Sequence, residues 1–334
     1  MAGRSSRMPS PTKIQEDMWA AWRSLALAAA LKLDLFTHID AGNATVAELA
    51  GAIGADARAV ERLAEAMAAL GYLRRRGDSL QLTPVAKTYL VRGGEFYMEG
   101  LAAVAIQQSE AWLRLDEVVR SGKPLQTSAD RVQFFRALVK TIFPWSYVPS
   151  QAVVAALSRP ARARIRNIFD VAAGSAAWSL AFARALPAAR VTALDLPPVL
   201  EVTREFVTRF NLADRYDYIA GDLNEIDFGK ERYDLVILGQ ILHGQDREGA
   251  RRLIEKSAAA LRAKGMILIA EYVPNDQRVG PPPAVLFGLN MLLNTPGGDV
   301  YTMRDYREWL KAAGMKSVKT IPAPIISAPI LAVK

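Results

Sequence analysis

The sequence contains no cysteine among its 334 residues and only two histidines. Without cysteine the chain can form neither a disulfide framework nor a thiolate metal site, and it offers no thiol nucleophile. No apolar run reaches the roughly 18 to 20 residues that a membrane-spanning helix needs. The polar start MAGRSSRMPSPTK also lacks the apolar segment of a signal peptide. These absences favour a soluble, cytoplasmic protein without a metal site or a membrane partner.

The excess of positive charge is modest: the sequence has 42 basic and 34 acidic residues, which gives a net charge of +8. This excess permits an acidic partner but does not require one. The length is sufficient for two domains with separate cores. From the change in pattern along the chain we predict a first domain at residues 1–105, a helical connector at 106–160 and a second domain at 161–334.

The first domain has the pattern of a winged helix, preceded by an amphipathic helix over residues 14–36. We expect Thr45 to cap a short helix that Gly51 and Gly54 break. The stretch GYLRRRGDSLQLT is typical of a hairpin with Gly77 and Asp78 at its tip. Between them lies a second helix, whose predicted apolar face consists of Ala59, Leu63, Ala66 and Leu70. Helix, turn, helix and wing follow one another in this order.

A winged helix can bind DNA, but the charge of this one argues against that function. Residues 1–80 contain ten Lys or Arg and nine Asp or Glu. DNA binding needs a basic face that neutralises several phosphates. Only Arg74, Arg75 and Arg76 in the wing offer such a group. A dimerising or substrate-covering module is therefore the favoured interpretation, and a DNA-binding regulator is the less favoured alternative.

The second domain alternates short apolar strands with helices. Residues 96–160 before it are mostly helical, with predicted breaks at SGKP (121–124) and FPWSYVP (143–149). The strands of the second domain are NIFDVA, RVTALDL, YIAGD, YDLVILGQ and MILIAEYV, followed by the closing segments KSVKTIP and PIISAPILAVK. Such alternation predicts an α/β fold with a parallel sheet buried on both faces. The tight link between the two closing strands predicts that they are antiparallel.

Polar residues follow the carboxyl ends of five successive strands, where ligands bind in open α/β sheets. In strand order they are Asp170 with the loop AAGSAAW, then Asp195, then Asp222 with Leu223, then His243, and last Glu271. A carboxylate after the second strand can accept hydrogen bonds from a ribose, and one after the third can bind an adenine. The sequence lacks the phosphate-binding pattern G-x-x-x-x-G-K-[ST]. An adenosine ligand with a carboxylate, such as S-adenosylmethionine, therefore fits better than a polyphosphate.

Each of these residues also has a structural interpretation. Asp195 or Asp222 could simply cap the next helix, and His243 could cap a loop. Glu271 is either an exposed charge at a strand end or a partner that orients His243. The other histidine, His38, most simply ends a helix.

Several segments together resemble a known family. FDVAAGSAAWSLAFARALPAARVTALDLPPVLEVTREF, RYDYIAGDL, YDLVILGQILHGQD, GMILIAEYVPND and NMLLNTPGGDVYT are similar to the S-adenosylmethionine-dependent O-methyltransferases of the plant caffeate and bacterial antibiotic-tailoring type. The resemblance covers nearly the whole chain and implies a Rossmann-like, seven-stranded methyltransferase domain preceded by a winged-helix dimerisation domain. It further implies a homodimer that methylates a hydroxyl of a small, aromatic, secondary-metabolite-type acceptor, with S-adenosylhomocysteine as the second product.

The resemblance also assigns roles to individual residues. His243 corresponds to the general base, and Glu271 to one of two acids that flank it. The cofactor-binding residues implied are Asp170, Ala172, Gly174, Asp195, Leu196, Asp222, Leu223 and Gln240. The acceptor pocket implied consists of Met291 and Asn294, with Phe143 and Trp145 as aromatic walls.

The sequence departs from the family pattern at three places. The loop AAGSAA has fewer glycines, with Ala176 at a common glycine position. Gly244 and Gln245 replace the acid and tryptophan that often follow the histidine, and Val300 replaces the second flanking acid, beside Asp299. We expect alanine to be tolerated in the loop where φ is negative, and only Gly174 to be irreplaceable. An N- or C-methyltransferase, or a repurposed member of the fold, stays open as an alternative.

Overall fold

The computed structural model describes residues 8–125 and 128–334, and the side chains of residues 128–133 lie outside that description. The chain divides into two compact units, Met1–Ser109 and Glu110–Lys334. The boundary falls near the one predicted at residue 105, and a separate connector at 106–160 stays a prediction. Within the described ranges, no helix combines the length and apolarity needed to cross a membrane.

The first unit is mainly helical. Its elements are α1 (Thr12–Lys32), α2 (Leu35–Asp40), α3 (Val46–Ile53), α4 (Ala57–Ala69), β1 (Leu73–Arg76), β2 (Ser79–Leu82), α5 (Pro84–Tyr89) and most of α6 (Leu101–Trp112). The single helix predicted over residues 14–36 is in fact two. Asp34 has a φ of 49° and therefore interrupts the helical path between α1 and α2.

Thr45 caps α3 as predicted, because its side chain accepts from the Glu48 amide while Glu48 binds back to the Thr45 amide. Gly54, with a φ of 71°, ends this helix. The predicted break at Gly51 is wrong, since Gly51 continues the helix.

The predicted apolar face of α4 is confirmed in part, since Leu63, Ala66 and Leu70 are partly buried against the core of this unit. The residues that enter the core from α4 are Val60, Ala64 and Met67, whereas Ala59 is exposed. This helix is rotated so that the face carrying Val60 packs in one core with Leu49 and Ala50 of α3.

The wing is confirmed as an antiparallel hairpin in which Leu73 pairs with Leu82 and Arg76 with Ser79. Gly77 takes a φ of 58° in the two-residue turn with Asp78. The Arg75 guanidinium lies 3.6 Å from Glu61 and 3.7 Å from Glu65 of α4. Acidic groups thus already balance one of the three wing arginines, which further weakens the DNA-binding alternative.

Helices open the second unit: α7 (Leu115–Ser121), α8 (Ser128–Thr141), α9 (Phe143–Ala156) and α10 (Arg159–Arg164). The break predicted at residues 143–149 lies instead at Ile142, between α8 and α9, and residues 143–149 begin α9. Pro144 stands in the first turn of the helix, where a missing amide is tolerated.

A seven-stranded sheet then follows, as predicted. Its strands and the helices between them are β3 (Asn167–Val171), α11 (Ala177–Ala185), β4 (Arg190–Asp195), α12 (Pro197–Arg209), β5 (Tyr216–Ala220), β6 (Tyr233–Gly239), α13 (Arg247–Ala260), β7 (Leu261–Ala270), α14 (Pro282–Asn294), α15 (Met303–Ala312), β8 (Ser317–Thr320) and β9 (Ile330–Val333). The strand order is β5-β4-β3-β6-β7-β9-β8. The first five strands in this order are parallel, and β9 is antiparallel to both β7 and β8.

The strand order reverses at β3, which lies between β4 and β6. Both neighbours pair with β3 over its buried length, including Phe169. At such a reversal the loops that leave adjacent strands go to opposite faces and open a crevice. The residues that follow β3, β4, β5, β6 and β7 therefore meet at one edge of the sheet.

Candidate active site

The loop between β3 and α11 is held in an unusual backbone conformation. Ala172, Gly174 and Ala176 have φ values of 56°, 57° and 55°, all in the left-handed region. The expectation that the alanines occupy negative φ is therefore wrong for Ala172 and Ala176. At Gly174 a side chain would be crowded as well as strained, since a Cβ would lie 3.2 Å from Cγ1 of Val139 in α8.

Asp195, at the end of β4, binds this loop directly. Its Oδ2 accepts from the Gly174 amide at 2.8 Å, and its Oδ1 accepts from the Leu196 amide at 2.8 Å. Burial raises the pKa of Asp195 to about 6, although both amide hydrogen bonds act in the opposite direction. The side chain does not cap α12, so the helix-capping interpretation does not describe this residue.

Asp170 lies beneath the loop, with 2% of its surface exposed. Its Oδ2 accepts from the Ser179 hydroxyl at 2.5 Å, and the Tyr216 hydroxyl in turn lies 3.1 Å from that of Ser179. Burial is the main cause that raises the pKa of Asp170 to about 7. The carboxyl thus faces the interior, which suits a group that supports the loop better than one that contacts the cofactor.

Asp222 and Leu223 follow β5 in a tight turn. The exposed Asp222 accepts at Oδ1 from the backbone and side-chain nitrogens of Asn224, at 2.8 and 3.0 Å. Lys256 of α13 donates to the Leu223 carbonyl at 2.8 Å, and its Nζ lies 4.2 Å from the centre of the Phe228 ring. Sequence reasoning missed Lys256, because a single lysine on a distant helix carries no local signal.

Gln240 follows β6 with a φ of 59°. Its backbone amide donates to the Ala270 carbonyl at 2.8 Å, and its Oε1 accepts from the Ser146 hydroxyl of α9 at 3.2 Å. Gln240, which was predicted beside the cofactor, therefore lies at the carboxyl end of the central strand β6. Its side chain binds α9.

His243 and Glu271 form a hydrogen-bonded pair, with 2.5 Å between Nδ1 of the histidine and Oε2 of the glutamate. The other oxygen of Glu271 accepts from the amides of Leu242 and His243, at 2.7 and 3.3 Å. The glutamate side chain is fully buried, while the histidine ring is 16% exposed. Of the two interpretations of Glu271, the geometry favours the partner that orients His243.

Two aromatic rings that sequence reasoning missed pack beside this pair. The Phe287 ring meets the His243 ring edge-on, with 4.9 Å between centroids, and stacks on Tyr272 at 3.8 Å. Burial raises the pKa of the Tyr272 hydroxyl. Only their positions in the sequence could have indicated these two residues. Tyr272 directly follows Glu271, and Phe287 lies one helical turn before the predicted Met291.

The acid that flanks the histidine from the other side in the family is Val300 here, and the adjacent Asp299 does not take its place. Val300 is buried, and Asp299 turns away to bind the Arg278 guanidinium at 2.7 Å and the Val300 amide at 2.7 Å. In the described part of the chain, Glu271 is thus the only carboxylate bound to the His243 side chain.

The predicted aromatic walls from α9 lie in different surroundings. Phe143 is 1% exposed and packs in a cluster with Tyr147, Phe206 and Phe210, at centroid distances of 5.1, 4.5 and 5.5 Å. Its ring thus packs among aromatic residues of α9 and of the α12 region, and its role as a wall of the acceptor pocket stays a prediction. Trp145, two residues further along α9, is 52% exposed.

Met291 and Asn294 lie on α14, and both belong to the helix face that carries Phe287. Met291 is 6% exposed, whereas Asn294 is partly open and donates from Nδ2 to the Asn290 carbonyl at 2.7 Å. Asn290 in turn meets the Trp112 indole of α6 at 3.4 Å. The structure thus places Met291 and Asn294 on the helix face whose Phe287 contacts His243.

The edge as a whole suits an adenosine ligand that carries a carboxylate. Among the described side chains, no Lys or Arg forms an ion pair with Asp170, Asp195 or Asp222, and Lys256, the cation beside Asp222, already donates to the Leu223 carbonyl. The N-cap residue of α11, Ala176, gives no side-chain cap, and the Ser179 amide of the first turn binds the Asp170 carboxylate instead. The described residues also hold no group of three or more His, Cys, Asp or Glu that could bind a metal ion.

Comparison with known proteins shows the family. A model of the O-methyltransferase domain matches residues 131–316, and a model of the O-methyltransferase dimerisation domain matches residues 18–92. The 3-hydroxy-5-methyl-1-naphthoate 3-O-methyltransferase of Streptomyces sahachiroi is 31% identical, over 96% of this chain and 95% of its own. The chain belongs to the O-methyltransferase family, and it is an O-methyltransferase with the dimerisation domain of that family.

Solved structures agree with this assignment. A candidate O-methyltransferase from Nostoc punctiforme superposes with a TM-score of 0.82 at 27% identity, covering 98% of this chain and 100% of its own. Human N-acetylserotonin methyltransferase in complex with S-adenosylmethionine gives 0.79 at 23% identity, covering 100% and 99%. At that identity the human enzyme shows the fold alone.

Proposed function

We propose that the protein transfers a methyl group from S-adenosylmethionine to a hydroxyl of a small aromatic acceptor, with His243 as the general base. The observation that carries this proposal is the His243–Glu271 pair at the sheet edge that also holds the Gly174 loop. S-adenosylmethionine supplies a methyl group on a sulfonium sulfur, and this sulfur leaves as the neutral thioether of S-adenosylhomocysteine. The residues then have to orient the acceptor and remove its proton.

Glu271 determines which nitrogen of His243 acts as the base. Because a carboxylate only accepts, its 2.5 Å contact holds a proton on Nδ1 of the histidine. This leaves the lone pair of Nε2 for the acceptor hydroxyl. As that proton arrives, the buried charge of Glu271 stabilises the imidazolium. Two amides hold the glutamate in place, so little reorganisation accompanies the proton transfer.

The cofactor is proposed to lie across the loops after β3, β4 and β5. The loop from Ala172 to Gly174 would support its methionine part, Asp195 and Leu196 would lie at the ribose, and Asp222 and Leu223 at the adenine. Asp170 supports this arrangement from below through Ser179. The bound S-adenosylmethionine of the human structure with the same fold supports this choice of methyl donor.

The acceptor is proposed to be a phenol of the secondary-metabolite type. The stacked rings of Tyr272 and Phe287 form a flat apolar wall at His243, which suits a planar ring. The naphthoate that names the Streptomyces sahachiroi relative is an acceptor of this kind.

Titration with S-adenosylmethionine, followed by mass spectrometry of phenolic acceptors incubated with the protein, tests the proposal. We expect His243→Ala to lower turnover by roughly 10² to 10⁴ while the calorimetric affinity for the cofactor stays the same. His38→Ala, which changes the second histidine, is the matched control. Full activity of His243→Ala would remove this histidine from the role of base.

A second variant tests the cofactor site separately. Asp195→Ala should weaken cofactor binding, because it removes the acceptor that fixes the Gly174 amide. Unchanged calorimetric affinity of this variant would contradict the assignment of Asp195.

A further inference from the structure

The segment of residues 297–301, between α14 and α15, lies directly against the backbone that carries His243. A Cβ added at Gly298 would lie 2.4 Å from the His243 carbonyl oxygen, so any side chain there would force the two backbones apart. Two residues after the histidine, the Gln245 carbonyl accepts from the Tyr301 hydroxyl at 2.6 Å. The position of the histidine backbone therefore depends on the position of residues 297–301.

Arg278 holds this segment from the loop that precedes α14. Its Nη1 donates to the Val300 carbonyl at 2.9 Å, and its Nη2 donates to Oδ1 of Asp299 at 2.7 Å. The same oxygen of Asp299 accepts from the Val300 amide at 2.7 Å. One guanidinium thus binds a main-chain and a side-chain oxygen of two adjacent residues, a contact that suits the planar fork of arginine and not the single ammonium of lysine.

The loop that carries Arg278 is fixed by hydrogen bonds of its own. The Asn275 amide donates to the Gly280 carbonyl at 2.7 Å, the Arg278 amide donates to the Asn275 carbonyl at 2.8 Å, and Oδ1 of Asn275 accepts from the Val279 amide at 2.9 Å. Arg278 has a φ of 58°, a conformation that a residue with a Cβ keeps only where its surroundings impose it. The guanidinium therefore extends from a turn whose hydrogen bonds do not involve it.

The histidine ring needs this backbone support because its own hydrogen bonding is one-sided. Among the described residues, the one hydrogen bond of the His243 ring is with Glu271. Val300 stands where the family has a second acid and offers the ring no hydrogen bond. A ring bound at one nitrogen changes its tilt when its backbone moves, so a shift of residues 297–301 alters the direction of Nε2.

We propose that Arg278 is a positioning residue for the base, and that it holds residues 297–301 against the His243 backbone through Asp299 and Val300. The inference rests on the proposed function, because kcat reports on His243 only where this histidine is the base. A small displacement of the base slows proton transfer while the binding contacts of cofactor and acceptor remain. The loss of Arg278 should therefore appear in kcat.

Three variants test the role of the guanidinium. Arg278→Met keeps much of the aliphatic stem and removes both donors, so kcat with the phenol identified by mass spectrometry should fall roughly tenfold. The acceptor KM and the calorimetric affinity for S-adenosylhomocysteine should stay the same. Arg278→Lys keeps the charge and one donor and should give an intermediate kcat. Arg304→Met is the matched control with the wild-type kcat, because the side chain of Arg304 binds Asp276 of the same loop.

The small number of histidines permits a second measurement that needs no turnover. The sequence contains only His38 and His243, so untagged protein labelled with ¹⁵N-histidine shows two imidazole rings in a long-range ¹H–¹⁵N spectrum. His38→Ala assigns the two sets of signals. Arg278→Met should shift the His243 signals and leave those of His38 in place, and Arg304→Met should shift neither.

Unchanged His243 signals in Arg278→Met would overturn the inference, and so would an equal loss of kcat in Arg304→Met. A loss that falls on the acceptor KM or on the cofactor affinity instead of kcat would also contradict it. A shift of the His243 signals in a protein whose wild type methylates no phenol would count against the proposed function and leave the positioning of His243 by Arg278 standing.

Discussion

Ala172 and Ala176 hold a backbone conformation that glycine adopts at lower free energy. Both have φ near 55°, and a residue with a Cβ loses roughly 1 to 2 kcal/mol there relative to glycine. We therefore expect Ala172→Gly and Ala176→Gly each to raise the free energy of unfolding by roughly 0.5 to 1 kcal/mol, since the relief of strain exceeds the added flexibility of the unfolded chain. Urea denaturation measures the change.

Ala173 is the matched control within the same loop, because it is not among the residues with positive φ. Ala173→Gly relieves no strain and should lower the free energy of unfolding by roughly 0.4 to 1 kcal/mol. If all three substitutions change stability in the same direction, the strain at Ala172 and Ala176 does not govern the stability of this loop.

Asp170 should make the stability of the protein depend on pH. Its pKa is about 7 in the folded protein against an ordinary value of 3.8, with burial as the main cause. Because the folded-state value is the higher one, the stability it contributes is complete below about pH 4 and is lost as the pH rises through 7. A pKa that differs by one between the folded and unfolded states corresponds to roughly 1.4 kcal/mol, so the full effect is on the order of a few kcal/mol.

Asp170→Asn cannot ionise and should lose less stability than the wild type between pH 5 and pH 8, as measured by urea denaturation at both values. The exposed Asp217 provides the control variant Asp217→Asn, which should keep the wild-type slope. A slope in Asp170→Asn that equals that of the wild type would show that other groups cause the pH dependence.

Individual residues were predictable where a strand end or a motif marked them. The order of strands places Asp195, His243 and Glu271 at one edge, and alternation of strands and helices is visible in the sequence. The φ values of Ala172 and Ala176 were not predictable, because alanine gives no local signal for the left-handed region. The burial of Phe143 depends on aromatic residues of α12, which are distant in the sequence.

At the scale of elements, a lysine of α13 stabilises the turn after β5. Lys256 donates to the Leu223 carbonyl and packs over Phe228, and burial lowers its pKa. Lys256→Met keeps much of the aliphatic stem but removes the donor. We expect the affinity for S-adenosylmethionine to fall about tenfold, as for the loss of one hydrogen bond to a charged group, without a matching rise in KM for the acceptor.

Lys311→Met, at an exposed position of α15, is the control for this change and should leave the cofactor affinity as it is. Isothermal titration gives the affinity and steady-state kinetics give the acceptor KM. A loss that falls equally on cofactor and acceptor would indicate general destabilisation of the unit instead of a local effect on the turn.

Elements with a regular pattern were predicted well, and irregular ones were not. The seven strands and the wing follow from alternation and from turn residues. The break before α9 was placed inside the helix because Pro144 and Pro149 suggested it there, although a proline in the first turn is compatible with a helix. The apolar face of α4 was predicted only in part, because the full burial of Val60, Ala64 and Met67 is set by tertiary packing.

At the scale of the whole molecule, α1 carries an apolar stripe that the monomer leaves uncovered. Ile14, Met18, Trp22 and Leu25 lie at i, i+4, i+8 and i+11 and are exposed by 68%, 72%, 59% and 45%. Such a stripe on a folded protein marks an interaction surface. Most of it falls within the match to the dimerisation domain at residues 18–92, so we propose that α1 forms part of a homodimer interface.

The double variant Met18→Glu, Trp22→Glu tests this proposal, because four charges would then face each other across a symmetric interface. Light scattering should report twice the chain mass of 36.5 kDa for the wild type and the single mass for the variant. Val279→Glu places a charge at another apolar residue, 73% exposed in the second unit, and should stay dimeric. A double variant that keeps the dimer mass would place the interface elsewhere. A wild type that is already monomeric would refute the homodimer itself. The apolar stripe of α1 would then remain in contact with water.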